Sequence, residues 1–375
     1  MLDRAKVMRE LSVESQNLFV DYSIEHQAAY AEWQKICRDA LFLQKVEAHP
    51  TYALPTWNGD LKQVHKVTRF SKPYQVVSVD GSQIYPDKHQ GTSCFLLNIG
   101  TAVLRYGMGQ GTTLFSSEPF LFVGQDNDDE ASGRSVDVVN AKREEFELKL
   151  GFETCERLRE EHASLPLLFL FDGSLIFWHL ESKETFLKQY FVNVYCQTLL
   201  QFFEKKIPVA GYLSLPKNKD LVNLIRASAT DFSASVTERN QLFPHTIDAM
   251  LALMHLEEGE RTSFFASTAL IVGEYPAQVR PWFCYYATSA ELVRIELPEY
   301  VVACPDLAEQ ALTIIADQVF KGNGYPICTA EAHIQAVVKG ADREFFYHAV
   351  ERYGIQQRKR LIMSQKNLKK RRMSV

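Results

Sequence analysis

Long apolar runs are missing from this sequence. The most hydrophobic stretch, Leu165 to Trp178, is interrupted by Asp172 and falls short of the roughly 20 residues that a bilayer-spanning helix requires. The first residues, MLDRAKVMRELSVESQNLF, are charged and amphipathic and lack the apolar centre of a secretion signal. These two absences predict a cytoplasmic chain with no membrane association. Paired cysteines are missing too: the seven cysteines (37, 94, 155, 196, 284, 304 and 328) are odd in number, 20 or more positions apart, and include no CxxC. That excludes a disulfide framework or a structural zinc site and predicts buried free thiols.

Also absent are GxGxxG, GxxxxGK[ST], GxSxG and HExxH. Dinucleotide binding, P-loop ATP hydrolysis, the esterase elbow and zincin chemistry therefore have no local support. There is no excess of positive charge either. Lys and Arg total 41 against 46 Asp and Glu, a formal net charge of −5, so the bulk balance does not point to nucleic acid. The balance is uneven along the chain, however. The tail from Gln356, QQRKRLIMSQKNLKKRRMSV, holds eight basic and no acidic residues, leaving the rest at −13. Such a tail reads as a solvated end or as a phosphate-contacting arm.

The 375 residues, 46% of them hydrophobic, suffice for one large domain or two medium ones. Mixed three- and four-residue apolar spacing from Leu2 to about Lys45 predicts helix, and the Pro- and Gly-containing stretch HPTYALPTWNGD ends it. We divide the chain into an N-terminal helical arm (1–66), a main domain (67–355) and the basic tail (356–375). In the main domain, Val76, Val77 and Val79 predict a strand ending in a turn at Asp80-Gly81-Ser82. Ser93 to Ile99 and Thr101 to Tyr106 predict the next two strands, with turns near Asn98-Gly100 and Gly107-Met108-Gly109. A polar loop (125–134) leads to a long helix from Val136. Leu165 to Phe171 then reads as a buried central strand, closed by a second Asp-Gly-Ser at 172–174. Beyond it, helices are predicted at Thr185–Lys205, Asp220–Ala227, Ile247–Leu256, Ala308–Lys321, Ala330–Val338 and Asp342–Tyr353. Strands are predicted at Ile207–Leu213, Phe264–Val272, Trp282–Ala287 and VRIELP. The fold class is α/β, a mixed sheet flanked by helices.

Asp-Gly is a common turn former, so either triplet alone reads as a turn. Two such triplets after hydrophobic strands place two carboxylates where neighbouring strands bring them together, and buried carboxylates repel unless a positive group sits between them. A divalent cation meets that need, and oxygen ligands without Cys or His pairs favour Mg²⁺ or Mn²⁺ over zinc. A third carboxylate is available on the acidic helix, where Arg143, Glu144, Glu145 and Glu147 cluster. Spacing does not choose among them. His333, Tyr212 and His89 are further candidates, each with an ordinary surface or packing alternative.

Taken together, VVSVDGSQIYPDKH, FLLNIG, the helix with its Arg-x-x-x-Glu element, LFLFDGSLIFW and YPICTAEAHIQAV resemble the NurA nuclease family over roughly residues 74 to 350. The resemblance implies a ribonuclease H-like core and divalent-metal-dependent, usually manganese-dependent, cleavage of DNA. It also implies a homodimer and partnership with the HerA hexameric ATPase in DNA-end resection. By match to the family motifs, Asp80 and Asp172 are metal-binding aspartates, Glu147 (or Glu144) is the helix glutamate, His333 the late histidine and Tyr212 the tyrosine. In a two-metal mechanism, Asp80, Glu147 and Asp172 would hold cations about 4 Å apart. His333 would orient the scissile phosphate or protonate the leaving group, because imidazole titrates near neutrality. The expected activity is that of a single-strand endonuclease or 5′–3′ exonuclease. Two alternatives stay open: a non-catalytic adaptor on an ATPase ring, and a ribonuclease H-like enzyme acting on RNA or hybrids.

Overall fold

A computed structural model describes residues 2–15, 18–86, 94–107, 113–123 and 136–357. His89, the turn at Met108-Gly109, the loop 125–134 and nearly all of the basic tail lie outside the described residues.

The N-terminal apolar periodicity forms three helices where one run was expected: α1 (Arg4–Val13), α2 (Ser23–Arg38) and α3 (Phe42–Ala48). Aspartates set the divisions. Asp21 accepts from the Ser23 N–H at 2.8 Å and Asp39 from the Leu41 N–H at 3.0 Å, local bonds that compete with helix continuation. Helix α2 buries Ala29, Trp33 and Ile36, whereas α1 buries nothing. Two short strands follow, β1 (Thr56–Trp57) and β2 (Val64–Lys66).

The centre of the molecule begins with β3 (Tyr74–Ile84), β4 (Cys94–Tyr106) and β5 (Thr113–Val123), an antiparallel meander. Helix α4 (Val136–Glu161) crosses to β6 (Leu167–Asp172), parallel to β3, and α5 (Thr185–Glu204) crosses to β7 (Val209–Ser214), parallel to β6. The resulting order β5-β4-β3-β6-β7 is that of the ribonuclease H-like fold. After α6 (Asp220–Ala229), α7 (Val236–Gln241) and α8 (Asp248–Leu253) come β8 (Glu260–Thr262), β9 (Phe265–Ala266), β10 (Pro281–Ala287) and β11 (Leu292–Pro298). Strand β11 pairs antiparallel with β7, while β1 and β2 pair with β9 and β8, giving 11 strands among the described residues. Four helices end the described chain: α9 (Glu299–Val302), α10 (Pro305–Lys321), α11 (Ile327–Ala336) and α12 (Gly340–Gln356).

Strand alternation separates two cores. Val77, Val79, Phe169 and Phe171 face α4 and α5, while Val76, Leu168, Leu170 and Tyr212 face α10 and α11. A third cluster joins Trp33 of α2 and Leu224 of α6 to Phe283 and Tyr285 of β10. Among the described residues no helix is long and apolar enough to cross a membrane. Cys155, Cys196, Cys284 and Cys328 are buried free thiols, Cys94 is buried as well, and Cys37 and Cys304 are half-buried free thiols.

The structure corrects several elements. The first Asp-Gly-Ser is no turn: β3 runs through it, pairing Asp80 with Gly100 and Ser82 with Asn98. The expected turn at Asn98-Gly100 is likewise mid-strand, so β4 is one strand instead of two. Gly100 is needed for close packing, since a Cβ there would stand 2.4 Å from the Ala336 N and 2.5 Å from the Ala332 O of α11. Strand β5 escaped notice because it is an edge strand with largely exposed residues and a proline at 119. The strand expected over Phe264–Val272 shrinks to β9, and Leu270–Glu274 turns as a short 3-10 helix.

Gly100→Ala should push α11 away from the sheet, because the atoms in the way are backbone. The expected cost is about 1–3 kcal/mol, measured by urea unfolding; an unchanged midpoint would show that α11 has room.

Candidate metal centre

Strands β3 and β6 pair only over Gln75–Val77 and Leu167–Phe169. Beyond that point they separate, held by one bond from Ser78 Oγ to the Leu170 carbonyl at 2.8 Å. Asp80 lies beyond the split on β3, and Asp172 ends β6. The carboxyl end of parallel strands, where neighbours diverge, is where open α/β sheets bind their ligands.

Each residue of the first triplet has its own task. Asp80 Oδ2 lies 2.7 Å from His333 Nδ1, and its Oδ1 accepts from the Gly81 N–H at 2.8 Å. Gly81 faces α4: a Cβ would stand 2.6 Å from Glu147 Oε1 and 2.6 Å from Arg143 Cγ, so only glycine admits that carboxylate beside the strand. Ser82 donates to the Ala336 carbonyl at 2.5 Å, and Asn98 Nδ2 donates to the same oxygen at 2.9 Å. Those donors satisfy a carbonyl that the end of α11 leaves open and fix the helix that carries His333. The second triplet is a true strand end. Gly173 crosses over Gly211 of β7, where a Cβ would meet the Gly173 carbonyl at 2.6 Å. Asp172 itself accepts from the Tyr325 hydroxyl.

Glu147 is 4% exposed and fully enclosed on α4. Its pKa is pushed well up, first by desolvation; Arg143 opposes the rise, and Asp80, Glu144 and Asp172 add to it. Asp172 is solvent-accessible yet flanked by protein on most sides. Its pKa is also raised, by desolvation first and then by Asp80, with the Tyr325 bond and His333 opposing. The carboxylates of Asp80, Glu147 and Asp172 therefore act on one another electrostatically. Glu144 stands apart. It faces His179, whose Nε2 is 3.4 Å away, and burial lifts its pKa to about 7. Geometry thus favours Glu147 over Glu144 as the third carboxylate.

Among the described residues no three His, Cys, Asp or Glu side chains stand together tightly enough to grip one ion. Each carboxylate instead meets a protein group: His333 for Asp80, Tyr325 for Asp172, and Arg143 Nε 3.1 Å from Glu147 Oε1 for Glu147. That last contact is not a formed hydrogen bond, and Glu147 Oε1 and Arg143 Nε are both buried without a hydrogen-bond partner. An orphaned carboxylate oxygen beside two more carboxylates is a hard-donor set that suits a divalent cation. His333 is exposed, while Arg143 is half-buried and reaches Gln83 at 3.3 Å.

Two site residues depart from the sequence reading. Tyr212, matched to the family's tyrosine, is fully buried, and its hydroxyl has no hydrogen-bond partner. It packs edge-on against the Tyr325 ring at 5.6 Å. Tyr325, which sequence reasoning passed over, is the tyrosine that bonds a carboxylate. The available signal was its place just ahead of α11 in the same motif as His333.

The fold and these residues define a ribonuclease H-like protein with an acidic centre at the diverging strands. A profile of the NurA domain matches residues 74–338, and the chain belongs to the NurA family. A crystal structure of NurA with manganese is similar at 11% identity and TM-score 0.45, covering 89% of this chain and 98% of that one. A crystal structure of NurA aligns at 10% identity and TM-score 0.42, covering 76% and 90%. The Thermus thermophilus RuvC structure aligns at 12% identity and TM-score 0.18, covering 48% and 96%. Membership of the family rests on the domain match. No curated protein matches the chain.

Two outcomes follow for the carboxylates. With its folded pKa raised, Glu147 contributes stability that is fully present below its ordinary value of 4.5 and lost as pH rises through the folded pKa. In chelator-treated protein, Glu147→Gln should remove that loss, worth about 1.4 kcal/mol for each unit of displacement, in urea unfolding across pH. An unaltered slope would contradict the assignment. Tyr325→Phe should raise the Asp172 pKa further, read as a carboxyl chemical-shift titration moved to higher pH.

Proposed function

We propose that this chain is a divalent-metal-dependent DNA nuclease acting on single strands and DNA ends, as an endonuclease or 5′–3′ exonuclease in DNA-end processing and repair. The observation that carries the proposal is the convergence of Asp80, Glu147 and Asp172 where β3 and β6 part, with the Glu147 and Asp172 pKa values raised by burial first and then by the neighbouring carboxylates. A fold maintained only for packing gains nothing from such repulsion. Membership of the NurA family supports the substrate class, a homodimeric assembly and work beside a HerA-like hexameric ATPase.

Asp80, Glu147 and Asp172 would hold Mn²⁺ or Mg²⁺. Bound there, the cation supplies an activated water and offsets the charge that develops on the phosphate. The protein's own groups do the rest. Tyr325, donating to Asp172, opposes the rise of its pKa and aims the carboxylate. His333 is oriented through Nδ1 by Asp80, which leaves Nε2 to meet the substrate, where it delivers a proton to the leaving 3′ oxygen. Arg143, released from Glu147, brings a fixed positive charge to the phosphate. Tyr212 braces the Tyr325 ring from behind.

The test is cleavage of end-labelled DNA, RNA and hybrid substrates by purified protein with Mn²⁺, with Mg²⁺ and with EDTA. Mn²⁺-dependent cleavage of DNA is expected, with Asp80→Ala and Asp172→Ala each losing on the order of 10³-fold while retaining the fold. Metal-dependent cleavage preserved in both variants would sink the proposal. Preference for RNA or hybrids would replace the substrate class, and partner binding without any cleavage would favour the adaptor.

A further inference from the structure

At the centre of β11 the chain buries a complete ion pair. Arg294 and Glu296 are both 0% exposed, and Arg294 Nε donates to Glu296 Oε1 at 2.7 Å. Arg294 Nη1 reaches Asp220 Oδ2 at 2.8 Å and the Tyr285 hydroxyl at 3.2 Å, and Tyr285 donates to Asp248 at 2.7 Å. The guanidinium lies 3.6 Å from the centre of the Phe283 ring, and its Nη2 has no hydrogen-bond partner. Stability does not explain such a group, because replacing a buried pair with apolar side chains is often neutral or stabilising.

The second oxygen of Glu296 gives the reason. Oε2 accepts from Ser174 Oγ at 2.8 Å and from the Leu175 N–H at 2.8 Å. Both donors belong to the loop that leaves β6 at Asp172. Register makes the reach possible: Glu296 pairs with Gly211, and Gly211 pairs with Phe171. The loop crosses the side-chain-free Gly211 to meet a carboxylate two strands away. The Ser174 hydroxyl also lies 2.9 Å from the Ile176 carbonyl, but its single proton goes to the charged acceptor, which makes the stronger bond.

We infer that Glu296, held by Arg294, is a positioning residue that fixes the Asp172 loop for catalysis through Ser174 and the Leu175 amide. The inference rests on the proposed nuclease reading. It adds that the site's geometry depends on an ion pair that touches neither cation nor DNA. Arg294 keeps one oxygen of Glu296 occupied and so turns the other toward the loop, and Asp220 at the start of α6 anchors Arg294 in turn.

The full chain should be compared with Glu296→Gln, with the double variant Arg294→Met/Glu296→Leu, and with Ser174→Ala. Hydrogen exchange of residues 173–177, thermal midpoint, Mn²⁺ affinity by calorimetry, and kcat and KM on single-stranded DNA are the readouts. The double variant should lower the midpoint somewhat, because Asp220 loses its guanidinium partner and the Leu175 N–H its acceptor. Its loop amides should exchange about tenfold faster, with kcat down about tenfold to a hundredfold and KM within about twofold. Glu296→Gln and Ser174→Ala should move the same readouts in the same direction by less. Loop exchange and kcat within about twofold of the unaltered chain in all three variants would overturn the inference. If the double variant does not fold, the two single variants decide. If the unaltered chain cleaves nothing, the nuclease reading fails by itself. Exchange of 173–177 then still decides whether Glu296 anchors the loop.

Discussion

Repulsion among Asp80, Glu147 and Asp172 is the constraint around which the rest of this structure is arranged. Two of the three have pKa values raised by burial and by their neighbours, a cost that folding has to offset elsewhere. The offsets are visible one by one. An imidazole meets Asp80, a phenol meets Asp172, and a guanidinium lies beside Glu147 without completing a hydrogen bond. These partners hold the centre together while leaving it under electrostatic tension, which a divalent cation would relieve more fully than they do.

Close packing makes the arrangement possible. Gly81 lets α4 bring Glu147 against β3 from one face, and Gly100 lets α11 bring His333 over β3 and β4 from the other. Ser82 and Asn98 then tie the end of α11 to the strands. Helices from opposite faces of the sheet thus deliver their side chains to one point at the split between β3 and β6. The two Asp-Gly-Ser triplets look alike in sequence and differ in structure. The first is an in-strand packing site, and the second is a strand end whose loop is secured from β11.

Much of this was legible in the sequence. Hydrophobic runs located β6, β7, β10 and β11, and three-and-four spacing located α4, α5, α6 and α10, because buried faces carry a strong periodic signal. The repeated triplets pointed to Asp80 and Asp172, and the acidic helix to Glu147 or Glu144. The choice between those glutamates was not legible, since it depends on which turn of α4 faces Gly81 across the sheet. Gly100 misled: its role is contact with a helix more than 230 residues later in the chain, yet locally it looks like a turn residue. Strand β5 gave no alternation because it lies at the sheet edge. Tyr325 and Glu296 were invisible for a further reason. A tyrosine before a helix and a glutamate in a strand are unremarkable until tertiary register sets them beside the second triplet.

The central claim is that Asp80, Glu147 and Asp172 form a divalent-cation site at which burial, and after it mutual repulsion, raises the pKa values of Glu147 and Asp172. Titration calorimetry with Mn²⁺ at mildly acidic pH, repeated in buffers of different ionisation enthalpy, tests it most directly. Ligands must shed protons to bind metal. The account therefore predicts saturable binding with proton release that disappears in Asp172→Asn. Binding without buffer dependence, or binding unchanged by that substitution, would contradict it.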